Sequence, residues 1–365
     1  MFYDNLATFA SKDENFLGRK FAYNKSEFRG EYQRDRDRVI HSNSFRRLKF
    51  KTQVFVYHEG DHFRTRLTHS LEVSQIARSI ARVLKLNEDL CEVLSLAHDL
   101  GHTPFGHAGE IALSNCMLSE TFDHNIQSLR ILITLEDMYD GHEGLNLSIN
   151  TLDGLLKHNG PVTDTTKYKN QLPEIFEYDF SFKNNGSLEA QISSLSDDIA
   201  YNCHDIDDGL RAELFSIHEI LDLNFSKKYL NNKKNLNKKN LVRNLLNLLV
   251  NDLITNSREN IKKANIQNIN DVYTQNELVS FSGNIIKGLD EIREFLRSKM
   301  YNHSNVKNWN LKSEEIIETL FKYFLIHNDK LPQINKKYSL ERNIADYISG
   351  MTDKFALNIY NKIKQ

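Results

Sequence analysis

The sequence is short of the residues that punctuate sheets. Among 365 residues there are 15 glycines and 4 prolines, about half the usual share. Sheet proteins use both to turn the chain, so the shortage points to a mostly helical protein. Cysteine is scarce as well. Cys91, Cys116 and Cys203 are odd in number, far apart and without a CxxC pair. That excludes a disulfide framework and a structural zinc knuckle, and fits a reducing cytoplasm. No apolar run approaches the ~20 residues a membrane span needs, and the first thirty residues lack a hydrophobic signal core. A soluble cytoplasmic protein is expected. Excess charge is also missing: 47 basic against 49 acidic side chains leave a net −2. Bulk, sequence-blind coating of nucleic acid is thereby excluded, although a local basic patch is not. What is present is apolar material, 40% of the chain, enough for a large core. At roughly 150 residues per domain the length suits one large domain or two ordinary ones.

Helical spacing dominates the readable segments. Leu67, Leu71, Ile76, Ile80, Val83 and Leu84 form one stripe, with Thr68 placed to cap it. Asn87 can cap the next helix, which Gly101 ends ahead of Pro104. Further helices are expected from about 106, 122 and 151, and residues 188–213 read as one long helix. The Asn/Lys/Leu-rich stretch 221–270 reads as helices with a loose loop near 226–240. Helices at 284–302 and 341–362 close the chain, and no internal repeat is present.

Eight of the 14 histidines fall between His41 and His124. Histidines on helices are usually core or surface residues, so spacing must decide. His69 lies early in one helix, and His98-Asp99 lies in the last turn of the next. Neighbouring helix positions point about 100° apart, so a His-Asp dipeptide serves one ion only at a fraying terminus. A second such dipeptide, His204-Asp205, shows how little the pair means alone. With the acidic pair Asp197-Asp198 downstream, two imidazoles and two carboxylates make a mixed set suited to Mg, Mn or Fe with open water positions. The absence of thiolates argues against closed structural zinc.

Three further patterns surround this set. His102, His107 and Glu110 follow the dipeptide, and Glu110 is spaced to orient His107. The competing reading is that both histidines merely cap a Gly-Pro turn. A basic run, RDRDRVIHSNSFRRLKFKTQVF (34–55), reads equally as a solvated face, but Arg66 lies one turn before His69 and can bring a bidentate phosphate fork to the ion. Asp197, Tyr201 and Asp205 share one face of the long helix. A sugar could meet that face beyond the ion.

Together RDRDRVIHSNSFRRLKFKTQVF, FRTRLTHSLEV, AHDLGHTPFGHAGE, FDHNIQSLRIL, TLDGLLKHNGP, SLSDDIAYNCHDIDDGL and RNIADYISGMTDKFA resemble the deoxyguanosine-triphosphate triphosphohydrolase family of HD-domain enzymes. The matches run in the family's order from about 34 to 355. The resemblance implies an all-α metallophosphohydrolase that cleaves a dNTP to deoxynucleoside and tripolyphosphate. It implies an N-terminal lobe over 30–215, holding the HD core at about 62–198, and a helical region over 216–365 packed on it. His69, His98, Asp99 and Asp197 would hold the metal. Arg66 would grip the α-phosphate region, and Lys157 would meet the phosphates. His102, His107, Glu110 and His124 would line the reacting phosphate; the resemblance leaves the proton donor open, and His107 is the expected one because Glu110 can hold and charge it. Gln53, Tyr201 and Asp205 would read the deoxyribose.

The Gly-His-Thr-Pro turn resembles the broad dNTPase branch more than the branch strict for dGTP, so base preference stays open. Family members are commonly homo-oligomers, and some respond to dNTPs or single-stranded DNA, for which residues 34–51 would be the surface. Two other readings remain open at this point. One is an HD phosphohydrolase acting on another nucleotide phosphoester. The other is a regulatory single-stranded nucleic-acid binder with a vestigial site.

Overall fold

The computed structural model describes residues 5–53, 64–230 and 237–365. The described chain is helical, and its extended pairing is limited to two isolated bridges, Arg19 with Ser148 and Thr52 with Thr65. It begins with α1 (Glu31–His41) and α2 (Asn43–Arg47). α3 (Arg66–Leu84), α4 (Glu88–Ala97), α5 (Gly106–Cys116) and α6 (His124–Arg130) follow. Then come α7 (Ile149–Leu156), α8 (Thr166–Gln171) and the long α9 (Leu188–Arg211). α10 (Ile217–Leu221), α11 (Asn224–Tyr229), α12 (Lys238–Lys263) and α13 (Ile269–Thr274) lead to α14 (Gly283–Leu296). α15 (Ser304–Ile326), α16 (Leu340–Ser349) and α17 (Asp353–Lys364) end the chain.

Capping fixes where these helices start, and once it moves a start. α3 is capped by Thr65, whose hydroxyl accepts the Thr68 N–H while Thr68 reaches back to the Thr65 N–H. Thr68, the expected cap, is the reciprocal partner of that capping box. Arg66 therefore enters the first helical turn. Asn87 caps α4 as expected, accepting the Leu90 N–H at 3.1 Å.

Three other expectations change. α11 occupies 224–229 within the expected loop, while residues 231–236 lie outside the described residues. The helix expected at 341–362 is two, because the chain turns at Gly350–Met351 and Thr352 caps α17. The helix expected at 284–302 ends at Leu296 and gives way to a wider turn over Arg297–Tyr301. α15 was not foreseen.

Three apolar clusters organise the helices. α3, α9, α12 and α14 bury Val73, Ile80, Ile199, Leu245 and Leu289 together. α1, α4, α6 and α7 close around Val39, Leu94, Leu129 and Leu152. α5 joins α15, α16 and α17 through Leu113, Ile316, Leu320 and Ile344. The third cluster matters most for the site, because α5 carries His107 and Glu110. The C-terminal helices thus hold one wall of the site by burial worth about 1.5–3 kcal/mol for each large side chain. No helix among the described residues is long and apolar enough to cross a membrane.

Candidate metal centre and catalytic cleft

The turn after α4 places most of the site. α4 ends at Ala97, and His98 is its C-cap. A Cβ on Gly101 would lie 2.1 Å from the His124 carbonyl oxygen and 2.3 Å from the Ser128 nitrogen. Only glycine lets this turn close on α6. Phe105 and Gly106 then take left-handed backbone in succession, at φ +64° and +61°. For a bulky residue that costs on the order of 1–3 kcal/mol unless its surroundings impose it. The buried Asp353 supplies the constraint, accepting the Phe105 N–H at 3.0 Å and the Thr52 N–H at 2.8 Å. Lys51 adds a second tie, its Nζ donating to the carbonyls of His102 and Ser349.

His69, His98 and Asp99 are buried, with donor atoms within 4.8 Å of one another. Asp197 Oδ1 joins them, 2.7 Å from His69 Nε2 and 3.5 Å from His98 Nε2. His98 donates Nδ1–H to the Ser95 carbonyl at 2.7 Å. Its Nε2 therefore faces the cluster, and that buried nitrogen has no hydrogen-bond partner. A nitrogen so oriented beside two carboxylates fits a divalent ion. Burial alone would raise Asp99, yet Arg66, His98 and His102 hold it well below the carboxylate range. Asp197 is likewise held down against burial by His98, His158 and His69. His98 moves the other way: burial lowers it, but Asp99 and Asp197 push it up to about 9. Two carboxylates and two imidazoles thus converge on one point, as a cation site requires.

Beside the donors, the second group of residues occupies one cleft of about 280 Å³. His102 Nε2 lies 3.1 Å from Asp99 Oδ1, and burial with Arg66 and His124 nearby keeps its imidazole neutral. His124 stacks on it with centroids 3.9 Å apart. Glu110 takes both the backbone N–H of His124 at 3.0 Å and its Nδ1 at 2.8 Å. His107, 65% exposed, is 3.5 Å from the same carboxylate. The reason for choosing His107, that Glu110 holds it, is therefore better met by His124.

The HD-domain family pattern matches residues 66–202, and the phosphohydrolase-associated domain pattern matches 279–362. A deoxyguanosinetriphosphate triphosphohydrolase-like protein from Pelagibacter ubique is 51% identical, covering 98% of both chains. Proteins of the same description from Rickettsia conorii and Rickettsia canadensis are 42% identical, over 98% of this chain and 97% and 100% of theirs. The chain belongs to the deoxyguanosinetriphosphate triphosphohydrolase-like family. It is thus an HD-domain phosphohydrolase whose HD domain implies a divalent metal.

Within this family member Gln53, Arg66 and Tyr201 line the cleft as expected, although one Arg66 nitrogen is 3.0 Å from Asp99. Two expected substrate residues do not line it. Lys157 turns away as the C-cap of α7 and pairs with Asp153 at 2.7 Å in a separate small cavity. The next residue, His158, faces the cleft instead, stacked on His98 and 3.6 Å from Asp197 Oδ2. Asp205 is buried behind Tyr301, whose hydroxyl donates to its Oδ2. Burial raises Asp205 to about 8. Tyr301, absent from the sequence reading, lines the cleft beside Tyr201 with its hydroxyl 2.6 Å from that of Tyr201. Nothing in the helical periodicity marks it, because it lies in the widened turn after α14.

The basic run is not one exposed face. Arg36 pairs with Glu92 at 3.2 Å, Arg38 donates to the Leu145 and Asn146 carbonyls, and Lys51 is buried. The acid just before Arg36, Asp35, accepts from Ser148 and Thr151 at the start of α7. Several basic residues of 34–51 are thus tied into the scaffold, while Arg46 and Lys49 stay exposed.

Proposed function

We propose that the protein is a metal-dependent dNTP triphosphohydrolase, releasing deoxynucleoside and intact tripolyphosphate. One observation carries this reading. A single cleft holds the His69, His98, Asp99 and Asp197 donors, Arg66, the Glu110-linked histidines and the Tyr201–Tyr301 pair. A nucleotide lying along it meets cationic, proton-transferring and sugar-sized surfaces in order. The naming of relatives that are 42–51% identical supports the same substrate class.

His69, His98, Asp99 and Asp197 would hold Mg, Mn or Fe. The ion would polarise the α-phosphoryl group and acidify a bound water. Arg66 would share its guanidinium between Asp99 and a phosphate oxygen, placing the α-phosphate at the donor set. His102, kept neutral, can accept a proton. His124, fixed by Glu110, would deliver one to the departing deoxyribose oxygen, with His107 assisting from the mouth. Tyr201 and Tyr301 would bound the sugar, with Gln53 lining the same cleft. The protein is proposed to act as a homo-oligomer in the cytoplasm, with dNTP or single-stranded DNA as effectors.

Incubation of purified protein with each of the four dNTPs and Mn or Mg, followed by product identification, tests this. Deoxynucleoside plus tripolyphosphate is expected. Pyrophosphate with dNMP, or orthophosphate with dNDP, would exclude the proposed geometry.

A further inference from the structure

The second His-Asp dipeptide has no part in the cleft, yet its histidine touches the metal centre from behind. His204 lies on α9 with 6% exposure, and its Nδ1 is 3.2 Å from Nδ1 of His69. Its other nitrogen, Nε2, is 2.6 Å from Glu72 Oε2. Glu72 is in turn paired with Arg64 at 3.0 Å, and Arg64 also reaches Asp207 and Asp208, each at 2.9 Å. The chain of contacts runs from α9 back to α3 and ends on a metal-centre histidine.

We infer that His204, backed by Glu72, is a positioning residue that fixes the ring of His69. His204 Nε2 is held by the Glu72 carboxylate at 2.6 Å, and its Nδ1 shares a hydrogen bond with His69 Nδ1 at 3.2 Å. Held at Nδ1, the His69 ring keeps its Nε2 turned to the donor set, where Asp197 Oδ1 lies 2.7 Å away. Without His204 the ring loses that hold and can rotate Nε2 out of the set. Partners of this kind usually strengthen metal binding and set ring orientation. The arrangement resembles the support of His98, whose Nδ1–H is fixed by the Ser95 carbonyl. The difference is that His69 is held by side chains, open to substitution.

The inference rests on His69 being a metal ligand, so His69→Ala is measured in parallel. The readout is Mn(II) affinity of the protein alone, from the free-ion electron paramagnetic resonance signal, with no substrate present. His204→Phe keeps the volume and removes both hydrogen bonds. It should weaken Mn(II) binding by about 10–100-fold, the usual cost of losing an outer partner. His204→Gln, whose amide can accept from His69 and donate to Glu72, should recover most of that loss. Wild-type affinity in a folded His204→Phe protein, or no recovery by His204→Gln, would overturn the inference. If His204→Phe does not fold, Glu72→Gln replaces it: its side chain is 47% exposed, and weaker Mn(II) binding is again expected. Unchanged affinity there would equally overturn it. Should His69→Ala bind Mn(II) as the wild type does, the ligand assignment itself falls, whatever His204 does.

Discussion

Asp99 joins the metal donors to the rest of the cleft. It faces His98, accepts from His102 and pairs with Arg66. Asp99→Asn keeps the shape but halves the oxygen donors and removes the charge. Metal content and turnover should be lost together, while the fold survives because Arg66 retains an acceptor. Retention of both would refute the ligand set. The proton-transfer residues behave differently, because they touch no ligand except through His102. His124→Ala should lower kcat by about 10²–10⁴-fold, the usual contribution of an acid or base, with metal content intact. His107→Ala should cost less, since its imidazole is exposed and 3.5 Å from Glu110. A larger loss at His107 than at His124 would return the donor role to His107.

At the scale of the element, α9 shows what a sequence can carry. Asp197, Tyr201 and Asp205 do share one face, but a face is wider than a pocket. Asp197 and Tyr201 reach the cleft, while Tyr301 from the turn after α14 covers Asp205. On the proposed function, a sugar would therefore meet a tyrosine pair rather than a tyrosine and an acid. A 2′-hydroxyl placed against those rings would be buried without a partner, at ~1–3 kcal/mol. Turnover of dGTP should exceed that of GTP, and Tyr201→Ala should narrow the gap with metal content unchanged. Equal turnover of the two nucleotides by the wild type would refute this.

The same contrast explains which elements were legible. α3, α4 and α9 announce themselves through apolar spacing and caps, and His98-Asp99 at a helix end is readable because capping is local. Lys157 and His158 are adjacent, and which of them faces the cleft depends on how the chain leaves α7. Tyr301, Val306 and Asn310 reach the site only because α14 and α15 fold back on it. No spacing within the sequence encodes that long-range closure.

At the scale of the whole molecule, the turn after α4 is held from 248 residues along the chain. Asp353 restrains Phe105, and Lys51 joins the His102 carbonyl to that of Ser349, at the end of α16. Lys51 is a buried amine, pushed down to about 7 by burial and by the nearby Arg47 and Arg66. The sign of its contribution follows from proton counting. Between about 7 and its ordinary 10.5 the unfolded chain binds a proton that the folded chain does not, so stability rises with pH across that window. Below it both states are protonated, and the cost of a buried ammonium is fully present. Lys51→Met keeps the length of the side chain and removes the titration. Thermal unfolding of both proteins at several pH values should show the wild type gaining on the variant as pH rises from about 7 towards 10. A difference that stays constant over this range would mean that Lys51 titrates alike in both states. The tie between the C-terminal helices and the catalytic turn would then not depend on a neutral amine.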